Sequence, residues 1–238
     1  MFSVGVCFGY AVFYLKKTVP TYERSTSILI KSEDKTSDNA ALMDLGLVTI
    51  NTNLTNELMS LKTSTVASEI VRRLNLDVEY RREGTFHDDV VYGAELPVRV
   101  SFQSLDDNEN ASFKLTLDDG KIKMTDFMRN GMAYPGDWTT AIGDTVQTPL
   151  GKLVVTPTPS YSQGLDYELQ VVRSNIHGVA GSVQSRINPY VRGGNSSIID
   201  ISYRDVSPAR AEDVLNTLVS VYNENWVKER NQKTVNTN

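Results

Sequence analysis

Ser196-Ser-Ile-Ile-Asp-Ile-Ser-Tyr203 runs directly into Arg204-Asp-Val-Ser-Pro-Ala-Arg-Ala211, and the hydrophobic period changes between the two halves. The first half is rich in β-branched residues and reads as a strand. The second half opens a helix: Ser207 supplies a capping hydroxyl, and Pro208 suits the first helical position, where its missing N–H is not needed. Ala211, Leu215, Leu218, Tyr222 and Trp226 then recur at helical spacing as the expected buried face. A strand feeding an amphipathic helix needs a sheet to cover, so a matching pair is sought upstream.

That pair lies near the other end of the chain. Tyr22-Glu-Arg-Ser-Thr-Ser-Ile-Leu-Ile30 reads as a strand, and Leu58, Leu61, Val66, Ile70 and Leu74 fall at helical spacing between Asn56 and Leu74. Thr63-Ser64-Thr65 is placed to cap a second helical piece there. Between strand and helix, Lys31 to Ala40 is polar and reads as a loop, and Ala41 to Leu47 as a short helix or packed turn.

From Leu96 to Val172 the period shifts toward two. Strands are expected at 97–102, 112–117, 121–125, 151–156 and 167–172, with Asp118-Asp119-Gly120 as a hairpin turn. His177 to Ile187 is a helix candidate interrupted by glycines and closed by Asn188-Pro189. The expected class is α+β: a mixed sheet packed by helices and formed from both chain ends, with an inserted antiparallel β module. The division expected is 1–17 as a membrane helix, 18–95 and 173–238 as two halves of a membrane-proximal α+β part, and 96–172 as the insert.

The assignment of 1–17 rests on Phe2 to Leu15, which carries no charge and stops at Lys16-Lys17. Those residues span roughly 21 Å as a helix against a hydrocarbon core of about 30 Å, so the run reads as a transmembrane helix cut short. A secretory signal fits less well, because no basic residue precedes the apolar run and no small-x-small site follows it.

Composition narrows the partners. With 238 residues, 40% hydrophobic, the chain can build one large core or two smaller ones. A net charge of -5 with no basic stripe excludes a nucleic-acid surface. The single cysteine, Cys7, lies in the apolar run, so the rest has neither a disulfide framework nor a thiolate metal site.

No catalytic constellation is visible, and no catalytic, cofactor-binding or metal-binding residue is assigned. His87-Asp88-Asp89 reads as a solvated loop, since adjacent carboxylates diverge and His177 is the only other histidine. Asp106-Asp107 and Asp118-Asp119 sit at strand ends, where acids form turns. Gly178 with Gly181, and Gly193-Gly194, lack phosphate-loop spacing and a following lysine. The mixed-charge segment holding Arg72, Arg73, Asp77, Glu79, Arg81 and Arg82 reads as a solvated helix end, or as a subunit seam in which opposite charges set register.

Taken together, these features give the chain a family likeness. The apolar run, the Tyr22–Ile30 strand, the segment Asn56-Glu57-Leu58-Met59-Ser60-Leu61-Lys62 and Leu74-Asn-Leu76 resemble the first flank of chain-length determinant, or polysaccharide co-polymerase, proteins. The strand before Asp205, the D-x-x-P-x-x-A pattern formed by Asp205, Pro208 and Ala211, and then Asn216 and Tyr222 are similar to the returning flank of that family. The resemblance implies a bacterial inner-membrane protein whose large domain lies in the periplasm. It implies homo-oligomers that form rings and act with a polysaccharide polymerase or outer-membrane exporter of lipopolysaccharide, capsule or exopolysaccharide. Some members carry a cytoplasmic tyrosine autokinase, for which this chain holds no nucleotide motif; the β-rich middle also departs from the long helical arm of lipopolysaccharide-type members. The alternative is an extracytoplasmic glycan-binding or adhesion module gripping sugar between Tyr134, Trp138 and Tyr161.

Overall fold

A computed structural model describes residues 2–30, 50–118, 120–162, 164, 166–193 and 197–235. The chain divides into two compact units, one of residues 1–22 and 75–179, the other of 23–74 and 180–238. The expected 31–47 loop and turn lie outside the described residues.

In the second unit, β1 (Tyr22–Leu29), β13 (Ile198–Asp205) and β12 (Ile187–Val191) form a sheet in the order β1-β13-β12. Glu23 meets Arg204, Ser27 meets Asp200, and the Ile30 N–H donates to the Ser197 carbonyl. These contacts run in opposite order along the two strands, so the pair is antiparallel, as β12 and β13 are. The α+β class and the union of both chain ends in one sheet are as expected; the pairing refines a mixed sheet to an antiparallel one.

Helices α2 (Ile50–Leu61), α3 (Ser64–Leu74) and α5 (Pro208–Val235) accompany this sheet, with α4 (Ile176–Arg186) leading straight into β12. The helical stretch over Asn56–Leu74 is divided at Lys62-Thr63, as the expected cap there requires: Thr63 Oγ1 accepts from the Val66 N–H at 3.3 Å and starts the second helix. The core gathers Leu61, Ile70 and Val71 with Ile199, Ile201 and Tyr203, and with Ala211, Val214, Leu215, Leu218 and Val221 of α5. That face of α5 ends at Val221. Trp226, read from spacing as buried, is 40% exposed. α4 ends at Arg186, just before Asn188-Pro189 as expected, and that pair lies inside β12, an outer strand where a missing N–H is tolerated.

The first unit is larger than the expected 96–172 insert. β2 (Val78–Arg82) and β3 (Asp89–Val91) join β5 (Ala111–Asp118), β6 (Lys121–Arg129), β7 (Met132–Tyr134) and β11 (Tyr167–Arg173) in the order β3-β2-β11-β5-β6-β7. β8 (Trp138–Ala141) also pairs with β6. A second sheet orders β4 (Val98–Phe102), β10 (Gly151–Pro157) and β9 (Thr145–Thr148) as β4-β10-β9. All five expected strands are present, and the β5–β6 hairpin closes with Asp118 opposite Lys121 and Gly120 at φ +78°. A chain of rings links the two sheets: Phe102 meets Phe113 edge-on at 6.2 Å, Phe113 stacks on Phe127 at 5.3 Å, and Phe127 meets Trp138 edge-on at 4.9 Å.

α1 (Phe2–Lys17) carries its described side chains exposed, among them Phe8, Tyr10, Phe13 and Tyr14. Among the described residues, no helix is long and apolar enough to cross a membrane.

Leu218 has no exposed surface. Leu218→Ala is expected to destabilise the protein by about 2–5 kcal/mol through lost burial and the cavity left behind, read as a lower denaturation midpoint in urea.

Candidate functional site

The residues that the two flanks contribute converge on the second unit. Asp205 closes β13, and its side chain is fully buried. A buried carboxylate needs partners for its lone pairs. Its Oδ1 accepts from the Ser207 N–H at 2.9 Å and from Arg210 at 2.8 Å, while Oδ2 accepts from Arg186 Nη1 at 2.7 Å. Ser207 in turn caps α5, its Oγ accepting from the Arg210 N–H at 3.3 Å, and Pro208 takes the first helical position. Ala211 is fully buried where α5 meets its core. The D-x-x-P-x-x-A pattern is thus a strand-to-helix corner, with aspartate as clamp, proline as starter and alanine as the small packing residue.

The first flank meets the second farther along α5. The Tyr222 hydroxyl donates to Glu57 Oε2 at 2.8 Å, and Leu61 is fully buried one turn on. The Lys62 carbonyl accepts from Gln184 Nε2 at 2.9 Å. Asn56 and Asn216 are exposed. α2, α4 and β12 border an open groove of about 630 Å³, lined by Leu58, Met59 and Pro189 together with Lys62, Gln184 and Asn188.

Of the four arginines proposed for a seam, Arg72 and Arg73 lie on α3 in one unit and Arg81 and Arg82 on β2 in the other. Arg73 is fully engaged within the chain. Its two terminal nitrogens grip Glu224 at 2.7 Å each, and its Nε donates to Glu69 at 2.8 Å. This fork, helped by Ser220, holds the Glu224 carboxyl down to about 2. Arg81 pairs with Glu79 at 2.6 Å, and Arg82 approaches Asp89 at 3.9 Å.

Arg173, buried, donates to the Asp106 and Glu109 carbonyls and faces Asp77 at 3.4 Å, so the acidic loop is organised around a guanidinium. Burial raises the Asp77 carboxyl despite that neighbour. His87 Nε2 lies 3.3 Å from Asp89. His177 is near the start of α4, where Asn175 Oδ1 accepts from the His177 and Gly178 N–H groups. Asp119, Gly194 and Asn195 lie outside the described residues. Among the described residues, no cluster of three or more potential metal ligands occurs. Tyr134, Trp138 and Tyr161 are half-buried against the core of the first unit.

Arg186, Arg192 and Arg210 escaped the sequence reading. Arg186 reaches Asp205 across nineteen positions, and Arg192 forks onto Asp200, whose carboxyl is lowered by that contact and by Ser27. Only Arg210, one turn beyond Asp205, left a local signal. No family model matches the chain, and no curated protein matches it in sequence.

Asp205→Ala would strand two guanidinium groups, one 12% and the other 35% exposed. It is expected to cost about 3–5 kcal/mol, seen in the denaturant midpoint; Arg186→Ala, whose loss leaves Arg210 on the carboxylate, costs less. Glu224 adds an acid-sensitive contribution. Because its folded carboxyl is depressed from 4.5 to about 2, the stabilisation is complete above pH 4.5 and is lost as pH falls toward about 2. Glu224→Gln should flatten the thermal midpoint against pH in that window only.

Proposed function

We propose that this chain is the non-catalytic, extracytoplasmic domain of an inner-membrane polysaccharide co-polymerase. In this reading it regulates the chain length or export of a surface polysaccharide through homo-oligomerisation, in contact with a polymerase or outer-membrane exporter. The observation that carries the reading is the meeting of both flanks in one unit. β1 pairs with β13, and Tyr222 bonds Glu57, so the two segments leading toward the chain ends belong to the same sheet-and-helix body. A domain held between two membrane helices needs that arrangement, since both of its ends must return to one surface.

Three further features support it. α1 presents an uncharged apolar run with aromatic side chains exposed before Lys16-Lys17, suited to a lipid surround. The residues matching the family pattern have structural positions: Asp205, Pro208 and Ala211 form the corner, and Leu61 fills the core. The described ion pairs Arg186–Asp205 and Arg73–Glu224 join elements of the second unit to one another. Membrane confinement makes weak lateral contacts count, because it raises local concentration and restricts orientation.

Reporter fusions placed after Tyr22 in the membrane-inserted protein are expected to read as extracytoplasmic. Mass measurement in nanodiscs is expected to give a closed homo-oligomer, and loss of the protein is expected to broaden the length distribution of the surface polymer. A cytoplasmic reporter, or a monomer that supports normal polymer length, would overturn the reading. Saturable binding of the surface glycan by a monomer would favour an adhesion module instead.

A further inference from the structure

A groove in the second unit and a loop in the first match in chemistry. The groove, about 630 Å³, takes its apolar walls from Leu58, Met59 and Pro189, and Met59 is 66% exposed. Lys62 lines the same groove. Its side chain is exposed, and among the described residues no carboxylate pairs with its ammonium. An occupant that suits this groove carries an apolar anchor with an acid beside it.

The loop 83–88 between β2 and β3 presents that combination. Phe86 is 48% exposed there, and Asp88, two positions on, is exposed with no cation paired to it among the described residues. The other acids around the loop are engaged: Glu83 with Lys114 at 2.9 Å, and Asp89 with His87 at 3.3 Å and Arg82 at 3.9 Å. Gly84 keeps the loop tight, since a Cβ at that position would strike the His87 carbonyl. The loop is thus braced at its base, and a braced knob loses little freedom on docking.

We propose that Phe86 of one copy docks in the Leu58–Met59–Pro189 groove of a second copy, with Asp88 brought to Lys62 of the partner subunit. A thioether against an aromatic ring is a favourable contact, and both exposed side chains gain cover. Knob and groove are different surfaces, so each copy engages one neighbour with its loop and another with its groove. Such a head-to-tail contact does not stop at two copies; it repeats until a ring closes. Confinement to one membrane plane excludes the open helical filament that the same contact could build in solution. The seam deepens the assembly proposed above and rests on that reading for its membrane setting.

Thr85 and Asn188 flank the knob and the groove without forming either anchor. In membrane-inserted protein carrying Cys7→Ser, Thr85→Cys with Asn188→Cys and a short bis-maleimide are expected to give a ladder of multiples ending at the closed ring. Either cysteine alone is expected to give none. Lys62→Glu sets an acid against Asp88 and should weaken the ladder about fivefold; adding Asp88→Lys should restore it. Phe86→Ser, at an exposed position, should abolish the ladder with the circular dichroism unchanged. An oligomer by mass that shows no ladder overturns this seam and leaves the assembly reading standing; a monomer overturns both. A cross-link confined to one chain, or one that stops at dimers, overturns the head-to-tail contact. A ladder that survives Phe86→Ser overturns the knob, and one that Lys62→Glu does not weaken overturns the charge pairing. Should Phe86→Ser unfold the protein, the charge exchange decides, because both of its positions are exposed: failure of Asp88→Lys to rescue Lys62→Glu overturns the proposal.

Discussion

A carboxylate with no contact with water organises the second unit. Asp205 stands where β13 ends, and burying its charge is tolerable only because Arg210, Arg186 and the Ser207 N–H converge on it. Each partner comes from a different structural event: the first turn of α5, the end of α4 and the cap between strand and helix. Satisfying one side chain therefore ties three element ends together. Tyr203 packs beneath the Arg186 guanidinium at 5.0 Å, and burial pushes its phenol up to about 12. Its hydroxyl is buried without a hydrogen-bond partner among the described residues, a cost the surrounding packing must offset.

With the start of α5 held, its apolar stripe from Ala211 to Val221 is directed into the core, and the polar residues beyond are delivered to the first flank. Tyr222 reaches Glu57 and Glu224 reaches Arg73, contacts between segments more than 150 positions apart. The exposed face of the terminal sheet carries its own polar chain, with Glu23 on Arg204, and Ser27 and Arg192 on Asp200. The exposed Glu23–Arg204 pair is individually weak, whereas the Asp200 carboxylate is buried. Their effect is on register: a one-residue slip of β1 would part both sets and turn Thr26, Ile28 and Ile30 away from the covered face.

The first unit is held by different means. Its stability rests on two sheets joined through Phe102, Phe113, Phe127 and Trp138, and on a guanidinium, Arg173, that satisfies the carbonyls of the acidic loop from within. The Asp106 and Glu109 carbonyls accept from Arg173, and the Glu109 carboxylate pairs with Arg129, so these polar groups hold the loop to the sheet.

Local chemistry determined much of this protein. Ser207-Pro208 announced a helix, Thr63 a second start and Gly120 a hairpin, because caps and turns depend on neighbouring residues. Alternation from Leu96 to Val172 marked the five main strands for the same reason. The short strands Val78–Arg82, Asp89–Val91 and Ile187–Val191 were not legible: they are charged or contain proline, and they pair only because a longer strand is already beside them. Trp226 kept the helical spacing of a core residue yet is 40% exposed, past the last buried position at Val221, and spacing cannot tell where a buried face ends. The aspartate of the D-x-x-P-x-x-A pattern was visible as a residue, but its role was not. Only the tertiary structure brings Arg186 to Asp205, Glu57 to Tyr222 and Arg73 to Glu224, since a buried charge selects its partners by distance in space, and distance along the chain carries no trace of it.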